Sequence, residues 1–107
     1  MKIRTGIILV AILAASTAST AFAQGSGADT FKAKCAMCHG ADGLAATPAG
    51  KAMQVPPLNS PALVKATTAD LIAATTNGKG KMPAYTGKLT EAQIKDVVAY
   101  IRTLQKK

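Results

Sequence analysis

Tryptophan is missing from this 107-residue chain, and two phenylalanines and two tyrosines are its only aromatic residues. A chain so poor in large rings buries little apolar volume, and one so short usually draws extra stability from a disulfide, a metal or a cofactor. Acidic side chains are scarce too: five stand against thirteen Lys and Arg, for a formal net charge of +8. That imbalance points to acidic partners. Long apolar runs are lacking, since the stretch from Gly6 to Ala15 falls short of the roughly 20 residues that cross a bilayer. No segment alternates apolar and polar residues for long enough to propose a strand, and none is repeated or of low complexity. Histidine occurs once and cysteine twice, too few for a closed four-ligand zinc site of thiolates and imidazoles.

The basic start Lys2 and Arg4, the short apolar run and the A-x-A site Ala21-Phe22-Ala23 read as a secretory signal peptide over residues 1–23. Its removal leaves one domain, residues 24–107, in the periplasm, with no transmembrane anchor and a net charge of about +6. Three aromatics remain, Phe31, Tyr85 and Tyr100. Something other than side chains is expected to fill the middle of so small a fold.

The domain reads as all-α. A helix from Gly27 to about Ala36 places Ala28, Phe31 and Cys35 on one face and stops near His39-Gly40. Residues 40–60 carry Gly40, Gly43, Gly50, Pro48, Pro56 and Pro57, a density that rules out a long regular element. An irregular stretch of about 20 residues in a compact domain implies that it wraps something. Ser60-Pro61 starts a short helix to Lys65, with Ser as cap and Pro at the first helical position. The next helix runs from Thr68 past Leu71 and Ile72 to Asn77-Gly78, with Gly as a left-handed cap. The last opens with a capping box, Thr90 and Gln93, and a staple, Leu89 and Ile94. Its apolar stripe is Ile94, Val97, Val98, Ile101 and Leu104.

All three scarce side chains fall in Cys35-Ala36-Met37-Cys38-His39. A thioredoxin-like dithiol expects a βαβ context that the chain lacks. A catalytic Cys-His pair needs a third group to orient the base, and sequence neighbours on a helix rarely face each other. A plain disulfide with a surface histidine leaves the His without a task. C-x-x-C-H as c-type haem attachment uses all three: two thiols about one turn apart reach the two vinyl groups, and the next residue brings an imidazole to the iron. The export signal agrees with this, since such attachment happens outside the cytoplasm.

With this motif in place, the chain resembles the class I c-type cytochromes of the small bacterial monohaem kind over nearly all of residues 27–104. The spacing of Gly27, Phe31 and Cys35, and of Val97 and Tyr100, is similar to that family's crossing of first and last helices, where a small Gly lets the last helix approach. The resemblance implies one covalent haem c on Cys35 and Cys38, with His39 as proximal iron ligand. It also implies a Pro carbonyl for His39, for which Pro48, Pro56 and Pro57 are available and Pro57-Leu58 is preferred. The family's Trp for a haem propionate has no counterpart here.

For the second axial position the resemblance implies a late Met. Met82, in Gly78-Lys79-Gly80-Lys81-Met82-Pro83, fits it, while Met53 reads as a gap-filling core residue. A His39/Met82 pair closes the iron to oxygen and raises its potential. Phe31, Val64, Leu71, Ile72, Val97 and Ile101 are candidates for the apolar shell. The implied function is a periplasmic, monomeric electron carrier cycling Fe(II) and Fe(III), not an enzyme. Lys32, Lys34, Lys79, Lys81 and Lys88 would steer it to acidic docking surfaces of a reductase, oxidase or dehydrogenase, and nucleic acid is not expected. The alternatives are an electron-entry subunit of a larger oxidase or dehydrogenase, and a haem-based sensor or enzyme if Met82 leaves the iron.

Overall fold

A computed structural model describes residues 22–107, so the expected signal segment lies almost wholly outside the described residues. Among these described residues six helices follow one another: α1 (Phe22–Lys34), α2 (Ala36–His39), α3 (Pro48–Ala52), α4 (Pro61–Lys65), α5 (Thr68–Asn77) and α6 (Glu91–Leu104). Among the described residues there is no strand beyond two isolated bridges, Lys79 with Met82 and Thr86 with Leu89. The all-α expectation holds.

The fold is organised by α1 lying across α6. Phe31 from α1 and Val97 from α6 are fully buried, and Cys35, Leu58, Ile101 and Leu104 complete the cluster around them. The whole expected stripe of α6 is buried. Gly27 marks the crossing: a Cβ there would run into the Asp96 carbonyl and press on Tyr100 Cβ at 3.3 Å. The Phe31 and Tyr100 rings meet beside it, tilted by 57° with centroids 5.4 Å apart, a favourable edge-to-face approach.

Each helix start has a local cause. In α6 the Thr90 hydroxyl accepts from Gln93 N at 3.1 Å and Gln93 Oε1 accepts from Thr90 N at 2.8 Å. An unexpected second box opens α5, where Thr67 Oγ1 accepts from Asp70 N at 3.0 Å and Asp70 accepts from Thr67 N. Each such cap stabilises by about 1 kcal/mol. Ser60 stands at the start of α4 as read, but its hydroxyl makes no capping bond; its backbone carbonyl takes Leu63 N and Val64 N instead. Gly78 ends α5 with φ +79°, yet its ψ of 166° is extended and not left-handed helical, because the chain must leave at once for the Met82 hairpin.

Residues 40–60 are less irregular than the composition suggests. Thr47-Pro48 starts the five-residue helix α3, with Thr47 Oγ1 accepting from Gly50 N at 3.0 Å. The signal is the same hydroxyl-then-Pro pair that marks α4. Met53 follows α3 and is 43% exposed, so it is no core filler: it stands at the outer end of a helix that runs over the surface. Val64 is likewise 47% exposed. Leu63 is the residue of α4 that packs on the core.

The C-terminal turn of α6 holds α4 and the segment before it. Arg102 donates to the carbonyls of Leu63, Val64 and Ala66 and to Gln105 Oε1. These carbonyls end α4 and have no partner within a helix so short. Gln105 Nε2 donates to Leu58 O at 2.8 Å, which fixes the neighbour of Pro57.

Gly27→Ala tests the crossing. Alanine gains about 1 kcal/mol over glycine inside a helix, but its Cβ meets a backbone carbonyl that cannot swing aside, and overpacking of this kind costs about 1–3 kcal/mol. The denaturation midpoint of the mature protein is expected to fall. A midpoint equal to or above that of the parent would show that the helices do not cross at Gly27.

Candidate functional site

The C-x-x-C-H segment sits where α1 gives way to α2. Cys35 lies at the junction, with φ −117° and ψ −31°, its N–H reaching Phe31 O and its carbonyl accepting from Cys38 N and His39 N. One turn thus carries both cysteines and the histidine. Cys35 is buried, Cys38 is half-buried, and both are free thiols. Burial, with Cys38 adding a smaller part, pushes the Cys35 thiol up to about 11.

His39 closes the turn. Its Nδ1 is buried with no hydrogen-bond partner, and burial lowers its pKa, which leaves a neutral imidazole, the form that ligates a metal. The Phe31 ring stands 6.5 Å away. The expected proline carbonyl does not reach it: Pro57 O accepts from Ser60 N at 3.0 Å and Leu58 O is taken by Gln105. The turn at Ser60 and the grip of α6 on Leu58 hold that segment to other partners.

Three contacts pin this turn from outside. Ala45 N donates to His39 O at 2.7 Å, with Ala45 itself at φ +56°. Thr47 Oγ1 donates to Met37 O at 2.7 Å and stands 3.3 Å from Cys38 O. Gly50 packs flush on the turn, since a Cβ there would collide with the carbonyls of Cys38 and Ala45. Thr47 therefore both caps α3 and holds α2. A threonine before a proline was a legible capping signal, but nothing in the sequence tied it to residues ten positions earlier.

Met82 lies on a separate arm between α5 and α6. Lys79 and Met82 exchange backbone hydrogen bonds at 3.1 and 3.0 Å, and Gly80 takes φ +57° at the first central position of this tight turn, where glycine avoids the strain any other residue would carry. Gly78 lies against the backbone of Met82, Pro83 and Ala84, too close for a Cβ. Met82 is half-buried, while Lys79, Lys81 and Lys88 are exposed, as are Lys32 and Lys34. The arm meets the first cluster through Tyr85, whose Oη donates to Lys34 O at 2.9 Å. Burial raises the Tyr85 pKa, with further contributions from Cys35 and Cys38.

Among the described residues no three His, Cys, Asp or Glu side chains converge as a metal site, and a structural zinc finds no cage here. What the donors fit is haem: two free thiols one turn apart, a half-buried neutral imidazole whose Nδ1 is unengaged, and a soft thioether on a glycine-freed arm. Of the expected apolar shell, Phe31, Val97 and Ile101 are buried and Leu71 and Ile72 half-buried.

Comparison with known proteins agrees with this chemistry. A family model described as "Cytochrome C oxidase, cbb3-type, subunit III" matches residues 23–101. Cytochrome c6 of Gloeothece citriformis is 40% identical over 106 residues, taking in 94% of this chain and 91% of that protein. Cytochrome c6 of a Nostoc species is 38% identical over 94 residues, 86% of this chain and 82% of its own. That of Leptolyngbya boryana is 37% identical over 79 residues, covering 71% and 86%.

Thr47→Ala removes the cap of α3 and the tie to Met37 together. A loss of about 1–2 kcal/mol is expected from the cap alone, read as a lower unfolding midpoint, with Thr47→Ser keeping most of it. Equal stability of all three proteins would mean that Thr47 holds nothing.

Proposed function

The chain belongs to the class I c-type cytochromes, which carry covalently attached haem c and transfer electrons, and on that premise we propose that it is an exported electron carrier whose haem is attached to Cys35 and Cys38 and ligated by His39 and Met82. The observation that carries this reading is the turn at residues 35–39, which brings two unpaired thiols and a half-buried imidazole, its buried Nδ1 without a hydrogen-bond partner, onto one short piece of backbone. When bound, haem supplies a one-electron couple between Fe(II) and Fe(III).

The residues divide the remaining work. Cys35 and Cys38 anchor the group at two points and so fix its orientation against α1. His39 offers a neutral nitrogen from the same turn, and the pins from Ala45, Thr47 and Gly50 prevent that turn from rocking. Met82 would offer a soft sulfur as second ligand to the iron, which would favour the ferrous state and exclude oxygen chemistry there. Phe31, Val97 and Ile101 keep water out and so disfavour the added charge of the oxidised state. With both ligands kept, the iron's coordination would be the same in the two states, which suits rapid electron exchange.

Residues 1–23 act as the export signal in this reading, and residues 24–107 as a monomeric periplasmic domain. No helix among the described residues is long and apolar enough to cross a membrane. The exposed lysines beside the Met82 arm and at the end of α1 would steer the domain toward acidic surfaces on redox partners, with encounter rates that fall as salt rises. A second reading, an electron-entry subunit held in a larger oxidase, is favoured by the description of the matching family model. The near-complete coverage of the small cytochromes c6 favours the free carrier. Fractionation separates the two: a carrier leaves with the periplasmic extract, a subunit stays with the membranes.

The optical spectrum of the mature protein tests the site. A reduced c-type spectrum unmoved by carbon monoxide, and a weak red-edge sulfur-to-iron band when oxidised, are expected. Met82→Ala should keep the haem, lose that band, bind carbon monoxide and lower the potential; if Met53→Ala does so instead, the ligand is misassigned. Rapid carbon monoxide binding by the parent would move the sensor or enzyme reading forward. Cys35→Ala and Cys38→Ala should each impair covalent attachment, seen as weakened haem-linked staining on a denaturing gel, and His39→Ala should yield no stable holoprotein.

A further inference from the structure

The Met82 arm, residues 78–89, is rich in glycine and mostly exposed, and its own hydrogen bonds are local. Lys79 and Met82 bond to each other, and Lys88 N and Leu89 N close back onto Tyr85 O. Tyr85 N and Thr86 N reach Thr75 O and Thr76 O, which belong to α5, the helix from which the arm departs. None of these bonds sets the distance between Met82 and the attachment turn. Among the described residues, one hydrogen bond joins the arm to the α1–α2 half of the molecule: Tyr85 Oη to Lys34 O at 2.9 Å, across 51 positions of sequence.

The acceptor suits this task. Lys34 is the last residue of α1, where helix carbonyls run out of internal partners, and it directly precedes Cys35. The donor is held in turn, with its backbone bonded to α5 and the Lys88 ammonium 5.9 Å above its ring. Only Pro83 and Ala84 separate Met82 from a side chain fastened beside the first haem cysteine.

We propose that Tyr85 is a positioning residue that tethers the Met82 arm to the end of α1 and so keeps the sulfur seated opposite His39. The inference rests on Met82 being the second axial ligand. Without the tether the arm is held to the body only at its two ends, by α5 and by the buried Leu89 just before α6, and the sulfur swings away more often. A single neutral hydrogen bond of ordinary strength corresponds to about a two- to tenfold change in the open population.

Tyr85→Phe keeps the ring and removes only the hydroxyl, so it suits a test on the mature, haem-loaded protein. Two quantities are compared with the parent. One is the temperature at which the red-edge sulfur-to-iron band is lost, set beside the temperature at which the helical far-ultraviolet signal is lost. The other is the rate at which the oxidised protein takes up cyanide, which can enter only when the sulfur has left. The expected result is earlier loss of the band with little change in helix melting, and cyanide uptake faster by about two- to tenfold. Unchanged band and rate would overturn the proposal. So would equal falls of band and helix melting with an unaltered cyanide rate, since that is the mark of a merely structural residue. If the parent itself lacks the band, Met82 is not the ligand and the reading beneath the proposal fails first.

Discussion

The close crossing of α1 and α6 is the constraint on which the other arrangements rest. Gly27 has room for a hydrogen and nothing larger against the Asp96 carbonyl, and the helix that this contact positions ends at Cys35. The direction in which the cysteines face is therefore decided eight residues upstream of them. The other partner in the crossing carries its own dependants. Val97 and Ile101 bury Phe31, Arg102 gathers the loose carbonyls of α4, and Gln105 holds Leu58. A shift between the two helices would displace the attachment turn on one side and the wrapping segment on the other. Dense packing lets little of such a shift be absorbed.

The sequence was most informative where a local rule decides the structure. The capping box at Thr90, the stripe of α6 and the C-x-x-C-H turn depend on spacings of three and four residues, which helix geometry fixes without reference to the rest of the fold. The small residue at Gly27 was legible through resemblance, and its carbonyl neighbour only through structure. What escaped notice was of two kinds. The box at Thr67 and the single cap at Thr47 were local and could have been read by the capping rules applied to Thr90 and Ser60. The second partners of Thr47, Tyr85 and Arg102 were not readable: each bonds to a backbone carbonyl ten or more positions away, and a carbonyl has no residue identity for a sequence to display.

The misplaced residues share a cause as well. Met53 was assigned to the interior and Val64 to the haem shell because both are apolar, yet both are exposed, Val64 on the five-residue α4 and Met53 just past the five-residue α3. A helix that short has no room for a full buried face, and only one side chain of α4, Leu63, points inward to the core. The preference for a carbonyl near Pro57 erred differently. It joined that segment to His39, whereas His39 Nδ1 finds no acceptor and the Pro57 and Leu58 carbonyls take Ser60 N and Gln105 Nε2.

The crossing also bears on the order in which the molecule can be completed. Phe31 lies in the first helix of the described structure and Val97 in the last, so no shorter length of chain can bury the two together. A polypeptide emerging N-terminus first thus exposes its Cys35 turn throughout most of its appearance, and contacts this distant in sequence are slow to close. Until α6 is in place, Phe31 and Cys35 lack the partners that bury them.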